Sequence, residues 1–183
     1  TQGVSSAASD VYKRQPKVYT KSTEAIKYRP ALLNIARDKE NNVVAVEAVY
    51  LDQKTGNKAA MNMKSKKTYG AKIGAGVILN EGKEKECVTY LAEGVETGLS
   101  IRDAVQTERV IATLGKANFL NIDMALLTNK IVLCLDNDLK PIKDDKVIIQ
   151  AIERLKQHGK VVEIAIPTPV SYTHLTLPTI LLV

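Results

Sequence analysis

The sequence predicts an α/β fold: a mostly parallel sheet with flanking helices, preceded by a small β-rich subdomain. Three observations carry that prediction. The first is the run Ile131-Val-Leu-Cys-Leu-Asp136-Asn-Asp138, apolar without alternation until it stops at two carboxylates one residue apart. Such a run reads as a strand buried on both faces, the pattern of a parallel sheet covered by helices. The second is Cys87-Val-Thr-Tyr-Leu-Ala92, another apolar strand that ends in acid, at Glu93-Gly94, and runs into the helix signal Val95-Glu-Thr-Gly-Leu-Ser-Ile101. The third is the succession of signals from Glu81 onward, in the order β-α-β-α-β-α-β, which implies parallel strands joined by right-handed crossovers.

Taken in order, residues 16–30 are polar, with Pro16 and Pro30, and read as a connecting segment. Residues 31–37 and 43–51 are β-like runs separated by Asp38-Lys-Glu-Asn-Asn42, which predicts a hairpin turning at the two asparagines. A second turn, Asp52-Gln-Lys-Thr-Gly-Asn57, follows. The stretch Lys64-Ser-Lys-Lys-Thr-Tyr-Gly-Ala-Lys-Ile-Gly-Ala-Gly76 reads as one basic loop leading into a short strand at residues 77–79. Lysines, an aromatic and backbone glycines together suit phosphate cradling and base stacking. Lys64, Lys66, Lys67, Tyr69 and Lys72 are therefore candidate nucleic-acid contacts; a flexible basic loop without a specific site is the alternative. The loop is not a nucleotide fingerprint, because no Lys-Ser/Thr follows its last glycine and residue 79 is Leu where a third glycine is needed.

Beyond Glu81, residues 96–106 read as a helix whose faces are marked by Leu99, Ile101 or Arg102, and Val105. Residues 110–114 are a short strand closing at Gly115, residues 118–127 a short helix, and residues 131–135 the central strand. Residues 144–158 are the clearest helix: Val147, Ile148, Ala151, Ile152 and Leu155 form an apolar stripe, Asp144 and Asp145 begin it, and Gly159 ends it. Residues 161–166 are one more strand. His158 falls in the last helical turn, where positive charge is favoured, and reads as a helix-end residue, not a catalytic base.

A chain of 183 residues accommodates one domain, or a domain with a small appendage. No apolar run reaches membrane-span length and no signal peptide is visible, so a soluble cytoplasmic protein without membrane contact is expected. The two cysteines, Cys87 and Cys134, lie inside predicted strands and read as packed thiols; no zinc spacing is available. Residues 1–15 and 170–183 resemble translated adapter peptides that recur at the ends of unrelated metagenomic reading frames, and His174 lies in the second of them. Setting both aside leaves residues 16–80 as a basic β-rich subdomain and 81–169 as the catalytic domain. The first carries 12 Lys or Arg against 5 acids, the second 12 against 14. A basic half beside an acidic half fits a polyanion guided to a cation-loaded site, although lysine-rich surfaces also serve solubility.

Where the central strand emerges, Asp136 and Asp138 point to one side, because side chains alternate along a strand. Two carboxylates held that close repel unless a proton or a cation lies between them, and Mg²⁺ takes one or two carboxylates while keeping positions open for phosphate oxygens. Asp-Asn-Asp is also an ordinary turn sequence. The second acid-ended strand favours a site over a turn, since ligands of open α/β sheets bind at the carboxyl ends of strands.

Leu91-Ala-Glu93-Gly-Val-Glu96-Thr-Gly-Leu-Ser100, Ile111-Ala-Thr-Leu-Gly115 and Val132-Leu-Cys-Leu-Asp136-Asn-Asp138 together resemble the Toprim domain, the Rossmann-like catalytic module of bacterial-type primases, type IA and II topoisomerases and some nucleases. The resemblance covers roughly residues 29–167 and is nearest to the subclass in primase-like and relaxase-associated proteins of phages, plasmids and integrative elements. It implies Glu93 as general acid/base or metal ligand, Asp136 and Asp138 as Mg²⁺ or Mn²⁺ ligands and Glu96 as a further acid. It also implies a primase-like nucleotidyltransferase that takes single-stranded DNA and ribonucleotides in replication or conjugative transfer, with a helicase or relaxase domain upstream or in trans. A Toprim nuclease and a non-catalytic DNA-binding module are the alternatives. Tyr28, Tyr50, Tyr69 and Tyr90 stand in no context that marks a topoisomerase nucleophile. The sequence departs from the family pattern after Asp138, where Leu139-Lys-Pro141 replaces the usual small residue or glycine.

Overall fold

In the computed structural model, residues 30–59, 65–84, 86–136 and 141–166 are described with their side chains, and residues 11–14, 17–18, 27–28 and 179–182 as strands only. The foreign-looking termini, His174, the side chain of Tyr28, and Lys64 and Asp138 lie outside the residues so described.

The basic N-terminal half forms an antiparallel sheet of β1 (Val11–Arg14), β4 (Ala31–Arg37), β5 (Val43–Tyr50) and β6 (Lys66–Gly70), in the order β1-β4-β5-β6. A two-stranded ribbon, β2 (Lys17–Val18) with β3 (Lys27–Tyr28), accompanies it. The β4–β5 hairpin turns where the paired asparagines predict. Asn41 takes a left-handed φ of 66°, and the Asp38 carboxylate accepts the backbone N–H of Asn42 at 2.8 Å.

The second sheet contains β7 (Val77–Glu81), β8 (Thr89–Ala92), β9 (Arg109–Ala112), β10 (Lys130–Cys134), β11 (Val161–Ile166) and β12 (Thr179–Leu182), in the order β12-β11-β10-β8-β9-β7. The four inner strands are parallel and the two edges antiparallel. The expected β-α alternation thus describes the inner strands. The chain is a mixed α/β fold with a β-rich sheet ahead of a mostly parallel one. β7, which the sequence groups with the basic half, lies at the edge of the second sheet.

Alternation along the inner strands assigns each helix a face. Leu91, Ile111, Ile131, Leu133 and Ile164 pack with Ile148, Ala151, Ile152 and Leu155 of α2 (Lys146–Gln157). Val110 and Ala112 turn the other way and pack with Val95 and Leu99 of α1 (Val95–Ala104). The central strand is buried on both faces, as its unbroken apolar run requires: Ile131, Val132, Leu133 and Cys134 are 3% exposed or less. Burial of this kind contributes about 1.5–3 kcal/mol per large aliphatic side chain and outweighs the modest helix preference of the β-branched residues in α2. Helix α1 buries only Val95 and Gly98, so the apolar faces expected at Leu99, Ile101 and Val105 are partly exposed.

Two sequence expectations are corrected. Residues 118–127 are not one helix. Two short 3₁₀ turns, Lys116–Leu120 and Met124–Leu126, take its place, because Asn and Asp side chains capture the backbone groups a helix would use. Asn121 Nδ2 donates to the Ala117 carbonyl at 3.0 Å and the Asp123 carboxylate accepts the Ala125 N–H at 2.9 Å. Nor do residues 64–76 form a single loop. Thr68 and Tyr69 are strand-favouring residues, and 66–70 extend the first sheet as β6, with Lys66 and Lys67 lying along its edge in the manner of charged edge strands.

Candidate active site

The chain leaves β8 toward β9 on one side and leaves β10 toward β11 on the other, although β8 and β10 are neighbours. Their carboxyl ends therefore flank the topological switch point of the sheet, where open α/β folds place their ligands. Glu93 follows β8 directly and Asp136 lies two residues beyond β10. The β8–β10 register pairs Ala92 with Cys134, so the two acids emerge from adjacent strands about 4.8 Å apart.

Gly94 caps α1 in an extended conformation and turns the chain from β8 straight into the helix, so Glu93 immediately precedes the helix N-terminus. Within the first turn, Thr97 Oγ1 donates to Asp136 Oδ1 at 3.1 Å, drawing the β10 acid to the same helix end. Glu96 folds back over Gly94, its Oε2 lying 3.5 Å from where a Cβ on that glycine would sit, and its Oε1 is 3.8 Å from Lys58 Nζ. Glu93 is half-buried with Oε2 out of contact with solvent, whereas Asp136 is exposed. Three of the four predicted acids thus converge on one helix N-terminus, whose partial positive charge favours carboxylates. Asp138 is the fourth and lies outside the described residues.

The donors present are hard carboxylate oxygens with no imidazole among them, and Cys134 lies inside β10 with its thiol pushed up to about 12 by burial. That donor set fits Mg²⁺ or Mn²⁺ and not zinc. Among the described residues no three acids, histidines or cysteines close into a finished metal cage. Mg²⁺ needs none, since it is commonly held by one or two carboxylates and completed by water and substrate oxygens.

Behind Glu93 the turn after β9 folds across the end of β8. Thr113 N–H donates to the Ala92 carbonyl at 2.9 Å and Gly115 N–H to the Glu93 carbonyl at 2.9 Å. Leu114 takes a left-handed φ of 59°, an arrangement that costs a non-glycine residue about 1–3 kcal/mol and that surrounding structure must hold. The carbonyl of Leu114 accepts a 2.5 Å bond from Lys72 Nζ.

Among the described residues, the candidate nucleic-acid contacts of β6 divide between its two faces. Lys66 lies 3.9 Å from the buried Glu47, which also accepts from Asn34. Lys67 and Tyr69 lie on the opposite face of β6, with the Lys67 ammonium 5.0 Å from the Tyr69 ring centre. Tyr69 is 42% exposed and its hydroxyl is 3.0 Å from that of Tyr50. Lys72 reaches the turn at the strand ends through the Leu114 carbonyl, and Lys64 lies outside the described residues.

Three participants escape sequence reasoning. Thr97 stands inside the motif that carries Glu93 and Glu96, but its tie to Asp136 depends on a contact 39 residues away. Asn118 is buried and makes four hydrogen bonds: Nδ2 to the carbonyls of Lys72, Ala75 and Thr113, and Oδ1 from Gly74 N–H. A single Asn amid apolar neighbours is its only signal. Asp145 caps α2 and holds Lys116 at 3.2 Å, tying the helix to the segment that follows Gly115.

Residues 88–173 match the family model of the Toprim domain. Residues 1–79 match a domain of unknown function, DUF7146. Both matches extend into the segments that the sequence reading set aside as foreign. Comparison with curated proteins returns no match. Among solved structures the chain is similar to a DNA primase domain from Pseudomonas aeruginosa, at 16% identity and a TM-score of 0.53, over 85% of this chain and 49% of that one. It is likewise similar to the Aquifex aeolicus primase (zinc binding and RNA polymerase domains), at 15% identity and a TM-score of 0.52, over 91% of this chain and 40% of that one. The chain thus spans less than half the length of either structure, and at these identities the likeness establishes the fold. The segment that carries Glu93 and Asp136 thus matches the model of the Toprim domain, within a chain whose fold is similar to those two structures.

Proposed function

We propose that this chain is the catalytic core of a Mg²⁺-dependent, primase-like nucleotidyltransferase that joins ribonucleotides on single-stranded DNA, in replication or conjugative transfer of a mobile element. The observation that carries this reading is the arrival of Glu93 and Asp136 at neighbouring strand ends beside one helix N-terminus, with a lysine-bearing loop pinned against the same ends. Phosphoryl transfer asks the protein chiefly to position charge against non-bridging oxygens. A bound Mg²⁺ would supply Lewis-acid stabilisation of phosphate oxygens. Asp136 and Asp138 would hold the ion, with Glu96 at its margin. Glu93, whose Oε2 is shielded from solvent, would hold or move a proton at the attacking hydroxyl. Lys67 and Tyr69 offer a cation and an exposed ring for the template. The site itself lies in the cytoplasm, with a helicase or relaxase domain joined to it or met in trans.

Labelled ribonucleotide incorporation on a single-stranded template tests the reading. Synthesis that requires Mg²⁺ or Mn²⁺ and disappears in Asp136→Asn supports it; synthesis unchanged in that variant sinks it.

The second reading is a nuclease on the same scaffold, marked by metal-dependent nicking of plasmid without nucleotides. Strand passage through Tyr50 or Tyr90 is disfavoured by two observations. Tyr50 is 2% exposed with its phenol pushed up to about 12 by burial and by Tyr69, and burial likewise raises Tyr90. Neither is disposed to form a nucleophilic phenolate.

A further inference from the structure

We propose that Asn118 is a positioning residue for Lys72: it locks the 72–75 loop to the Leu114–Gly115 turn and so holds one ammonium over the active strand ends, where it takes a backbone phosphate of single-stranded DNA. The inference rests on the reading of this site as one that receives a polynucleotide, and adds where the strand is gripped and by what device.

The geometry is specific. Asn118 Nδ2 donates to the carbonyls of Lys72 at 3.0 Å and Ala75 at 2.9 Å, the two ends of the loop, and to Thr113 at 3.0 Å, at the end of β9. Its Oδ1 accepts Gly74 N–H at 3.0 Å, so one 4% exposed side chain binds both ends and the middle of the loop. An amide carries two N–H donors, here shared among three carbonyls with one bond bifurcated, and one carbonyl oxygen, so each of its polar atoms is engaged. A buried polar group so completely satisfied specifies a single arrangement of its surroundings.

What the arrangement fixes is Lys72. One N–H of its ammonium goes to the Leu114 carbonyl, and Nζ lies 3.3 Å from where a Cβ on Gly115 would stand. Gly115 N–H in turn bonds the Glu93 carbonyl. The Lys72 charge and the Glu93 backbone therefore meet at the same dipeptide. An ammonium has three donors, and the Leu114 bond uses one. Freed from the clamp, a lysine on a glycine-bearing loop samples many rotamers; held by it, the side chain presents the remaining donors at a constant place.

The test is the salt dependence of binding to a fluorescein-labelled single-stranded oligonucleotide, using the whole 183-residue chain. Each phosphate neutralised on a single strand contributes a slope of about −0.7 to log affinity against log salt. Lys72→Ala should lower the slope by about that amount, and Lys72→Arg should keep it. Asn118→Ala should lower it in the same way while Lys72 is present and change nothing further when combined with Lys72→Ala. Should Asn118→Ala fail to fold, Gly74→Ala loosens the same loop from its open side, because Gly74 sits at φ +81° and meets little but the Asn121 carbonyl. The same non-additive pattern is expected of it. A wild-type slope in folded Asn118→Ala or Gly74→Ala overturns the proposal, as does a second, additive drop in the Lys72→Ala background. Steep binding by wild type with no change in Lys72→Ala overturns the inference alone; absence of binding by wild type overturns it together with the function it rests on.

Discussion

Thr97 Oγ1 and Asp136 Oδ1 are joined across 3.1 Å, a bond that links the first turn of α1 to the chain beyond β10. Asp136 is exposed, and among the described residues this hydroxyl is the group that ties its carboxylate to the end of α1 that Glu93 precedes. Groups that orient a metal-binding carboxylate typically change metal affinity by about 10–100-fold when removed. Thr97→Val keeps the shape of the side chain and removes the donor. Its Mn²⁺ affinity by calorimetry should fall about tenfold, toward the low end of that range because the bond is exposed. Asp136→Asn should abolish the signal, while thermal stability in both variants stays within about 0.5 kcal/mol of wild type. Equal affinity in Thr97→Val and wild type would show that Asp136 is oriented by other means.

Asp145 supplies a pH-dependent prediction. Burial raises its affinity for a proton, but the bond to Lys116 and the N–H groups of Val147 and Ile148 outweigh that, and its pKa lies below the ordinary 3.8. A depressed folded-state value means that the contribution to stability is present above about pH 3.8 and is lost as pH falls through the lower folded value. Asp145→Asn, which still accepts at a helix cap, should retain most of the helix but lose this acid-limb dependence. Asp145→Ala should cost about 0.5–2 kcal/mol at neutral pH. Thermal melts across the acid range separate the two effects. An unchanged acid limb in Asp145→Asn would remove Asp145 from the account.

How much of this was legible beforehand follows from which interactions are local. The strand at Ile131–Leu135, the stripe of Ile148, Ala151, Ile152 and Leu155, and the hairpin turn at Asn41 depend on period and on turn chemistry, which one segment displays by itself. Glu93 and Asp136 were visible because acids ending apolar strands are conspicuous. The Thr97 tie, the Asn118 clamp and the Lys116–Asp145 pair were not, since each joins residues 29 to 46 positions apart whose meeting depends on strand order. The stretch at 64–76 misled for a related reason. Lys and Gly suggest a loop, yet the alternation of Lys66, Thr68 and Gly70 with Lys67 and Tyr69 fits an edge strand once β5 is there to pair with it.

Gly98 tests the packing of α1. A Cβ there would stand 2.5 Å from Leu79 Cδ1 and 3.6 Å from the Cβ atoms of Ala92 and Ala112. Alanine in a helix interior gains about 1 kcal/mol over glycine. Overpacking a dense core costs about 1–3 kcal/mol, and Leu79, 1% exposed, has little room to turn aside. The cost should win: Gly98→Ala is expected to destabilise by about 1 kcal/mol and Gly98→Val by more. Urea melts decide the sign. A stabilised Gly98→Ala would mean that Leu79 relaxes freely and that α1 is held less tightly than its contacts with β7 suggest.

Tyr50 gives the alkaline counterpart to Asp145. Its phenol is pushed from 10 to about 12, first by burial and then by the neighbouring Tyr69 hydroxyl. With the folded value above the unfolded one, the stabilisation of the neutral phenol is complete below pH 10 and is lost as pH rises toward about 12. Tyrosinate absorbance in wild type should therefore show a late-ionising component, absent from Tyr50→Phe, and the variant's stability should fall less steeply between pH 10 and 12. At neutral pH the lost hydroxyl bond should cost Tyr50→Phe about 1 kcal/mol. Because the Tyr50 hydroxyl also anchors the exposed Tyr69 ring, the same variant should weaken binding of a single-stranded oligonucleotide if that ring stacks on a base, by less than the 1–3 kcal/mol expected for removing the ring in Tyr69→Ala. Binding lost in Tyr69→Ala and kept in Tyr50→Phe would assign the ring to the strand and restrict Tyr50 to the sheet. Binding unaffected by either would take this face of β6 out of the nucleic-acid path and leave the strand ends, with Lys72, as the place where the polynucleotide is held.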